Sequence, residues 1–185
     1  IAEKDGYVGN VIFDNVAKHN AVSKVMWNQL GDAIEAFDAD DDVRVIVLQG
    51  AGEKAFVSGA DISKFDKERG TEEAVLHYNT RVGAVNRFIH NIPKPTIAEI
   101  NGYCIGGGLG LAVCCDIRFC SEKSKFGLPA AKLGLGYTFE NLKRLVDLVG
   151  PGLSRDITFS ARQITAEEAL RAGLVQRILP EEELA

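Results

Sequence analysis

The sequence predicts an α/β domain, and three observations carry that expectation. Apolar runs of strand length alternate with longer segments of helical periodicity, the pattern of folds whose helices cover a sheet. Val43, Val45, Ile46, Val47 and Leu48 form a nearly continuous apolar strand of the kind buried on both faces. A further strand, Thr96 to Ile100, feeds directly into the run Asn101, Gly102, Tyr103, Cys104, Ile105, Gly106, Gly107, Gly108, Leu109, Gly110, where an apolar helix begins. Strand, strand, helix recurs about three times at irregular spacing. That irregularity points to a coiled, layered core rather than a solenoid of fixed period.

Each element follows from local pattern. Tyr7, Val8, Asn10, Val11, Ile12 and Phe13 read as the first strand. Ser23 then stands as the N-cap of a helix carrying Met26, Trp27, Leu30, Ile34 and Phe37 at helical spacing, which ends in Asp40, Asp41 and Asp42. After the apolar strand, Gln49 to Gly52 make a turn, and Ala55, Phe56 and Val57 start a short extended piece. A long helix is expected from about Glu72 to Ile92, with Val75, Val82, Val85 and Ile89 on one side; Pro93 and Pro95 close it. Ile117 to Cys120 return as a strand. Beyond Pro129 the chain is mostly helical: one helix from near Phe139 to Val149, one after Pro151, and one capped by Thr165 with Glu168 at the capping-box position.

Composition bounds the function. With 185 residues and 46% hydrophobic content, a single domain over 1–185 is expected. A net charge of -5 with scattered Lys and Arg argues against a nucleic-acid surface, which needs clustered cations. No apolar run approaches the roughly 20 residues of a membrane span. No signal core follows Ile1, so a cytoplasmic protein is expected. Cys104, Cys114, Cys115 and Cys120 crowd one apolar segment at spacings unlike zinc sites, and read as small buried hydrophobes in a reducing compartment. His19, His77 and His90 lie far apart, so no metal site is expected.

The glycine run carries chemistry. A helix's first turn leaves N–H groups without internal partners, and glycines there let a ligand approach the backbone. The helix dipole adds to the attraction for a developing oxyanion. A dinucleotide site fails on spacing: counting GxGxxG from Gly106 reaches Leu111, from Gly108 reaches Val113, and from Gly134 reaches Phe139. No GxxxxGK[ST] loop occurs either.

Four motifs in a fixed order then resemble the crotonase, or enoyl-CoA hydratase/isomerase, superfamily over essentially the whole sequence. They are Asn20-Ala21-Val22-Ser23, Ser58-Gly59-Ala60-Asp61-Ile62, the Asn101 to Gly108 run continuing to Cys115-Asp116-Ile117, and Ala166 to Val175. The resemblance implies a crotonase-like coiled ββα core with helices following, and a coenzyme A thioester as substrate, with coenzyme A part of the substrate and no prosthetic group. By position it makes the Ala60 and Gly107 N–H groups the donors to the thioester oxygen. Ala17, Lys18 and His19, together with Ala60, Asp61, Ile62, Gly106 and Gly107, would line the coenzyme A site mainly through backbone contacts. Lys18 is placed to reach a phosphate; a solvated surface charge is its competing reading. Family members assemble as homotrimers or dimers of trimers through C-terminal helices, and the sequence ending in Glu181, Glu182, Glu183, Leu184 and Ala185 is expected to lack them.

The departures from that family bear on the reaction. The two glutamates that hold and activate water in its hydratases fall on Gly110 and Ala130, and neither can transfer a proton. General acid and base groups each contribute roughly 10² to 10⁴-fold, so hydration is expected to be crippled. Pro129 to Tyr137 is similar to the corresponding stretch of methylmalonyl-CoA decarboxylase, which has a tyrosine at the position of Tyr137 and a histidine at that of Ala60. Decarboxylation needs an oxyanion site and a donor for the departing carboxylate, and Tyr137 offers that donor; buried packing is its other reading. Glu140 is the carboxylate placed to serve as acid or base, and a helix N-terminal charge is the competing reading. A non-catalytic acyl-CoA-binding protein is the remaining alternative.

Overall fold

In the computed structural model, residues 1–64 and 71–184 are described; Ala185, the last residue of the expected domain, lies outside them. A six-stranded sheet runs in the order β1 (Ala2–Asp5), β2 (Val8–Phe13), β3 (Val45–Gly50), β5 (Thr96–Ile100), β7 (Ile117–Ser121), β10 (Arg177–Leu179). It is parallel except for the β1–β2 hairpin. A second sheet contains β4 (Ala55–Val57), β6 (Tyr103–Ile105), β8 (Lys125–Gly127) and β9 (Gln163–Thr165). The pairs β3/β4, β5/β6 and β7/β8 each send their first strand to the large sheet and their second to the small one. Helices α2 (Glu72–Asn91), α3 (Gly107–Ala112) and α4 (Phe139–Ser160) follow them in turn. This is the ββα repeat, three times over, that the strand-strand-helix pattern predicts.

The helices begin where their caps place them. Helix α1 (Lys24–Ala39) starts at Ser23, whose Oγ accepts from Met26 N–H at 3.3 Å, and α2 starts at Thr71, whose Oγ1 accepts from Ala74 N–H at 3.1 Å. Helix α5 (Ala166–Arg171) carries the full capping box: Thr165 Oγ1 accepts from Glu168 N–H, and the Glu168 carboxylate accepts from Thr165 N–H. The two helical segments expected on either side of Pro151 are joined across a kink at Gly150 (φ 76°, ψ 167°), as a proline one residue later demands. Helix α1 packs on β2 and against α2, where Trp27 Nε1 donates to Tyr78 Oη at 3.0 Å.

Some expectations change. Strand β3 begins at Val45 and includes Gln49 and Gly50, and it is not buried on both faces. Ile46 and Leu48 are fully enclosed while Val45, Val47 and Gln49 are half-buried, an alternation that shows the second face of the sheet to be only partly covered. Strands β1, β6, β8, β9 and β10 have no counterpart in the sequence reading; all but β1 have three residues, too few to show a period. All four cysteines are free and buried, and desolvation raises each thiol, Cys114 to about 11 and Cys120 to about 12.

Candidate active site

The site starts from a stitched pair of loops. Asn20 is fully buried in a left-handed conformation (φ 55°), accepts from Asn15 N–H at 3.0 Å, and donates to the carbonyls of Ala51 (2.9 Å) and Ala55 (2.7 Å). Asparagine tolerates that backbone better than most residues, and its amide supplies both donor and acceptor. Three backbone bonds then tie the loop to residues 58–61: Ser58 N–H to His19 O, Val22 N–H to Gly59 O, and Asp61 N–H to Val22 O. The bonds alternate around Ala60 and skip its amide.

Helix α3 supplies the second amide. Its N-cap is Gly106 (φ 59°, ψ -117°), which offers no side-chain acceptor, so the first-turn N–H groups are left bare. Among the described residues, neither Ala60 N–H nor Gly107 N–H has a hydrogen-bond acceptor. The two segments run close together: a Cβ built on Gly59 would lie 3.8 Å from Gly107 N, and one on Gly107 would lie 3.9 Å from Gly59 Cα. Gly108 permits this approach, since its Cβ would fall 2.1 Å from Val57 O. The far end of α3 is held by Arg118, a buried cation that donates to Cys115 O (2.5 Å) and Leu174 O (2.6 Å).

The expected coenzyme A-lining residues cluster beside Ala60. Ala17 and Lys18 belong to the 3-10 turn Val16–Lys18, which His19 closes with φ 50°. Lys18 Nζ is engaged with the buried Asp61 carboxylate at 2.9 Å and with Ser63 Oγ at 2.6 Å. The Ser63 hydroxyl, then Lys18, hold the Asp61 carboxyl below its usual range. Lys18 therefore braces the Ala60 loop, with its side chain still 45% exposed. Ile62 is 69% exposed at the loop's outer edge.

A narrow apolar hollow lies beyond the glycines, lined by Leu109, Gly110, Val113, Leu128, Tyr137, Asn141, Leu142 and Leu145. Tyr137 Oη would be 3.6 Å from a Cβ on Gly106, and burial raises its hydroxyl to about 12, so it stays protonated. Gly110 and the buried Ala130 bring no proton-transferring group. Glu140 does not line the hollow; it pairs with Arg87 of α2 at 3.0 Å, at the surface. Asn141, which the sequence reading did not single out, does line it. Its signal was spacing, since Asn141 and Leu145 stand four residues apart on one face of α4, and Tyr137 directly precedes the N-cap Thr138.

Comparison with known proteins agrees with this architecture. The family model described as "Enoyl-CoA hydratase/isomerase" matches residues 3–185. A short-chain-enoyl-CoA hydratase from Clostridium acetobutylicum is 38% identical over 184 residues, covering 100% of this chain and 70% of the relative. A mitochondrial Delta(3,5)-Delta(2,4)-dienoyl-CoA isomerase from Pongo abelii is 34% identical over 188 residues, covering 96% of this chain and 57% of the relative. An enoyl-CoA hydratase/carnithine racemase from Magnetospirillum magneticum superimposes with a TM-score of 0.94 at 34% identity, covering 99% of this chain and 68% of that structure. The order of motifs, the ββα repeat and these matches together establish that the chain belongs to the enoyl-CoA hydratase/isomerase family.

Proposed function

We propose that the chain binds a coenzyme A thioester and holds its enolate oxygen between the amides of Ala60 and Gly107. The observation that supports this most strongly is the pair of N–H groups, unpaired among the described residues, on two segments that lie side by side. A preorganised donor in a water-poor site lowers such a barrier by about 3 kcal/mol. Coenzyme A enters as part of the substrate, along the Ala17, Lys18, His19, Asp61 and Ile62 edge, and the chemistry calls for no prosthetic group. By family the reaction is a hydration or an isomerisation. The protein acts in the cytoplasm as a homotrimer or a dimer of trimers, without nucleic acid or membrane.

The Tyr137 hydroxyl, without a hydrogen-bond partner among the described residues, favours a second reading, decarboxylation. The bond between the α-carbon and the carboxylate breaks, carbon dioxide leaves, and the electron pair passes into the enolate held by the two amides. A proton from solvent then restores the α-carbon. No base is required, which suits Gly110 and Ala130; Tyr137 orients the departing carboxylate by donating to it. Glu140 takes part as an acid only by leaving Arg87.

A panel of acyl-CoA thioesters followed by mass spectrometry tests these readings. Water addition, double-bond movement or loss of carbon dioxide identifies the reaction. Binding of a thioester without any turnover would make the protein a non-catalytic acyl-CoA binder. Absence of both would overturn the proposal.

A further inference from the structure

We infer that Asn141 and Tyr137 form a second polar subsite over Gly110, one that takes a carboxylate carried on the acyl group. This rests on the thioester reading above and names the class of acyl group it would accept.

The argument begins with the Asn141 amide. Its Oδ1 accepts from Arg144 at 3.3 Å and from Asn86 Nδ2 at 3.4 Å. Arginine can only donate, so the atom facing it must be the oxygen. The nitrogen is thereby turned the other way, toward the glycine helix: a Cβ on Gly110 would lie 3.9 Å from Asn141 Nδ2. Among the described residues Asn141 Nδ2 has no acceptor, and neither does Tyr137 Oη. Both line the same apolar hollow.

Two donors without acceptors among the described residues face one hollow, and they are matched by a ligand group that offers an acceptor oxygen to each. A carboxylate brings two acceptor oxygens, one for each donor, and no proton, whereas a hydroxyl brings a single oxygen that the two donors would have to share. Charge points the same way. Arg144 stands directly behind Asn141, while the nearby Glu140 carboxylate is already paired with Arg87. Burial keeps the Tyr137 hydroxyl protonated, so it remains a donor throughout the physiological range.

Reach fixes the acyl length. Gly107 and Gly110 are three residues apart on one helix, about 4.5 Å along its axis. A carboxylate two or three bonds beyond the thioester carbon spans that interval, as in malonyl or succinyl groups. Their uncharged counterparts of equal carbon number are propionyl and butyryl.

Calorimetric titration of the purified chain with malonyl-CoA, propionyl-CoA, succinyl-CoA and butyryl-CoA decides the matter, with ligand integrity checked by mass spectrometry. The carboxylated member of at least one pair should bind about tenfold more tightly, as hydrogen bonds to a charged group warrant. Asn141→Asp keeps an acceptor for Arg144 and Asn86 while turning a negative oxygen to the ligand. It should abolish that preference. Asn141→Leu, which merely deletes the donor, should reduce the preference, as should Tyr137→Phe. Equal affinity within both pairs, or a preference untouched by all three variants, would overturn the subsite and leave the thioester reading standing. Failure of all four thioesters to bind would overturn both.

Discussion

Glu99 sits half-buried on β5 with no cationic partner among the described residues, and desolvation raises its carboxyl from 4.5 to about 7. Between those values the folded chain binds more protons than the unfolded one, so this group lowers stability as pH rises from about 4.5 to 7. Glu99→Gln should therefore raise the melting temperature at pH 8 and leave it unchanged at pH 4. After discounting for partial exposure, the gain at pH 8 is about 1 kcal/mol, or roughly 2–4 °C for a chain of this size. Asp61 titrates in the opposite sense. Ser63 and Lys18 hold its carboxyl below the usual 3.8, so its stabilisation is complete above that value and is lost as pH falls through the folded-state pKa. Acid unfolding monitored by circular dichroism should show a component below about pH 3.8 that Asp61→Asn lacks.

At the scale of the element, helix α3 matters through its bare N-terminus and its contact with β4. Adjacent glycines there should respond differently. Gly107 occupies the first helical position, which accepts proline because that N–H has no intrahelical partner. Gly107→Pro should keep the fold and melting temperature while lowering turnover of whichever thioester the protein converts by roughly 10² to 10³-fold. Gly108→Ala should instead fail at folding, since the new methyl would fall 2.1 Å from Val57 O on a strand that cannot retreat. Circular dichroism and kcat on the two variants separate the roles. If Gly107→Pro retains full turnover, the oxyanion assignment is wrong.

The molecule as a whole brings a family framework to a site without the two carboxylates expected at Gly110 and Ala130. Hydration of crotonyl-CoA should therefore run at least about 10²-fold below the common kcat near 10 per second. The absorbance of the enoyl thioester gives the rate directly, and kcat near the usual value would require a proton-transfer group elsewhere. Binding need not suffer. A non-hydrolysable acyl-CoA at about 100 times its dissociation constant should stabilise the fold by about 2.7 kcal/mol, visible as a rise of several degrees in melting temperature.

The sequence by itself determined the framework: caps at Ser23, Thr165 and Glu168, apolar periods of 2 and 3.6, the strand-strand-helix recurrence, and the glycine run are all local chemistry. Short strands such as β8 and β9 escaped because three residues carry no period, and they exist only through pairing across the sheet. The site divided along the same line. The proposal for Ala60 and Gly107 came from their positions in the family motifs, but the brace that Asn20, Lys18 and Asp61 build around the Ala60 loop joins residues some 30 to 45 positions apart. Glu140 looked available in the sequence, yet α2 brings Arg87 to it and holds it at the surface. Asn141 acquired its direction only because Arg144 and Asn86 take its oxygen. Backbone conformation and periodicity depend on near neighbours and can be read along the chain. Which polar group stays unpartnered depends on what every other element brings to it, and only the tertiary structure decided that.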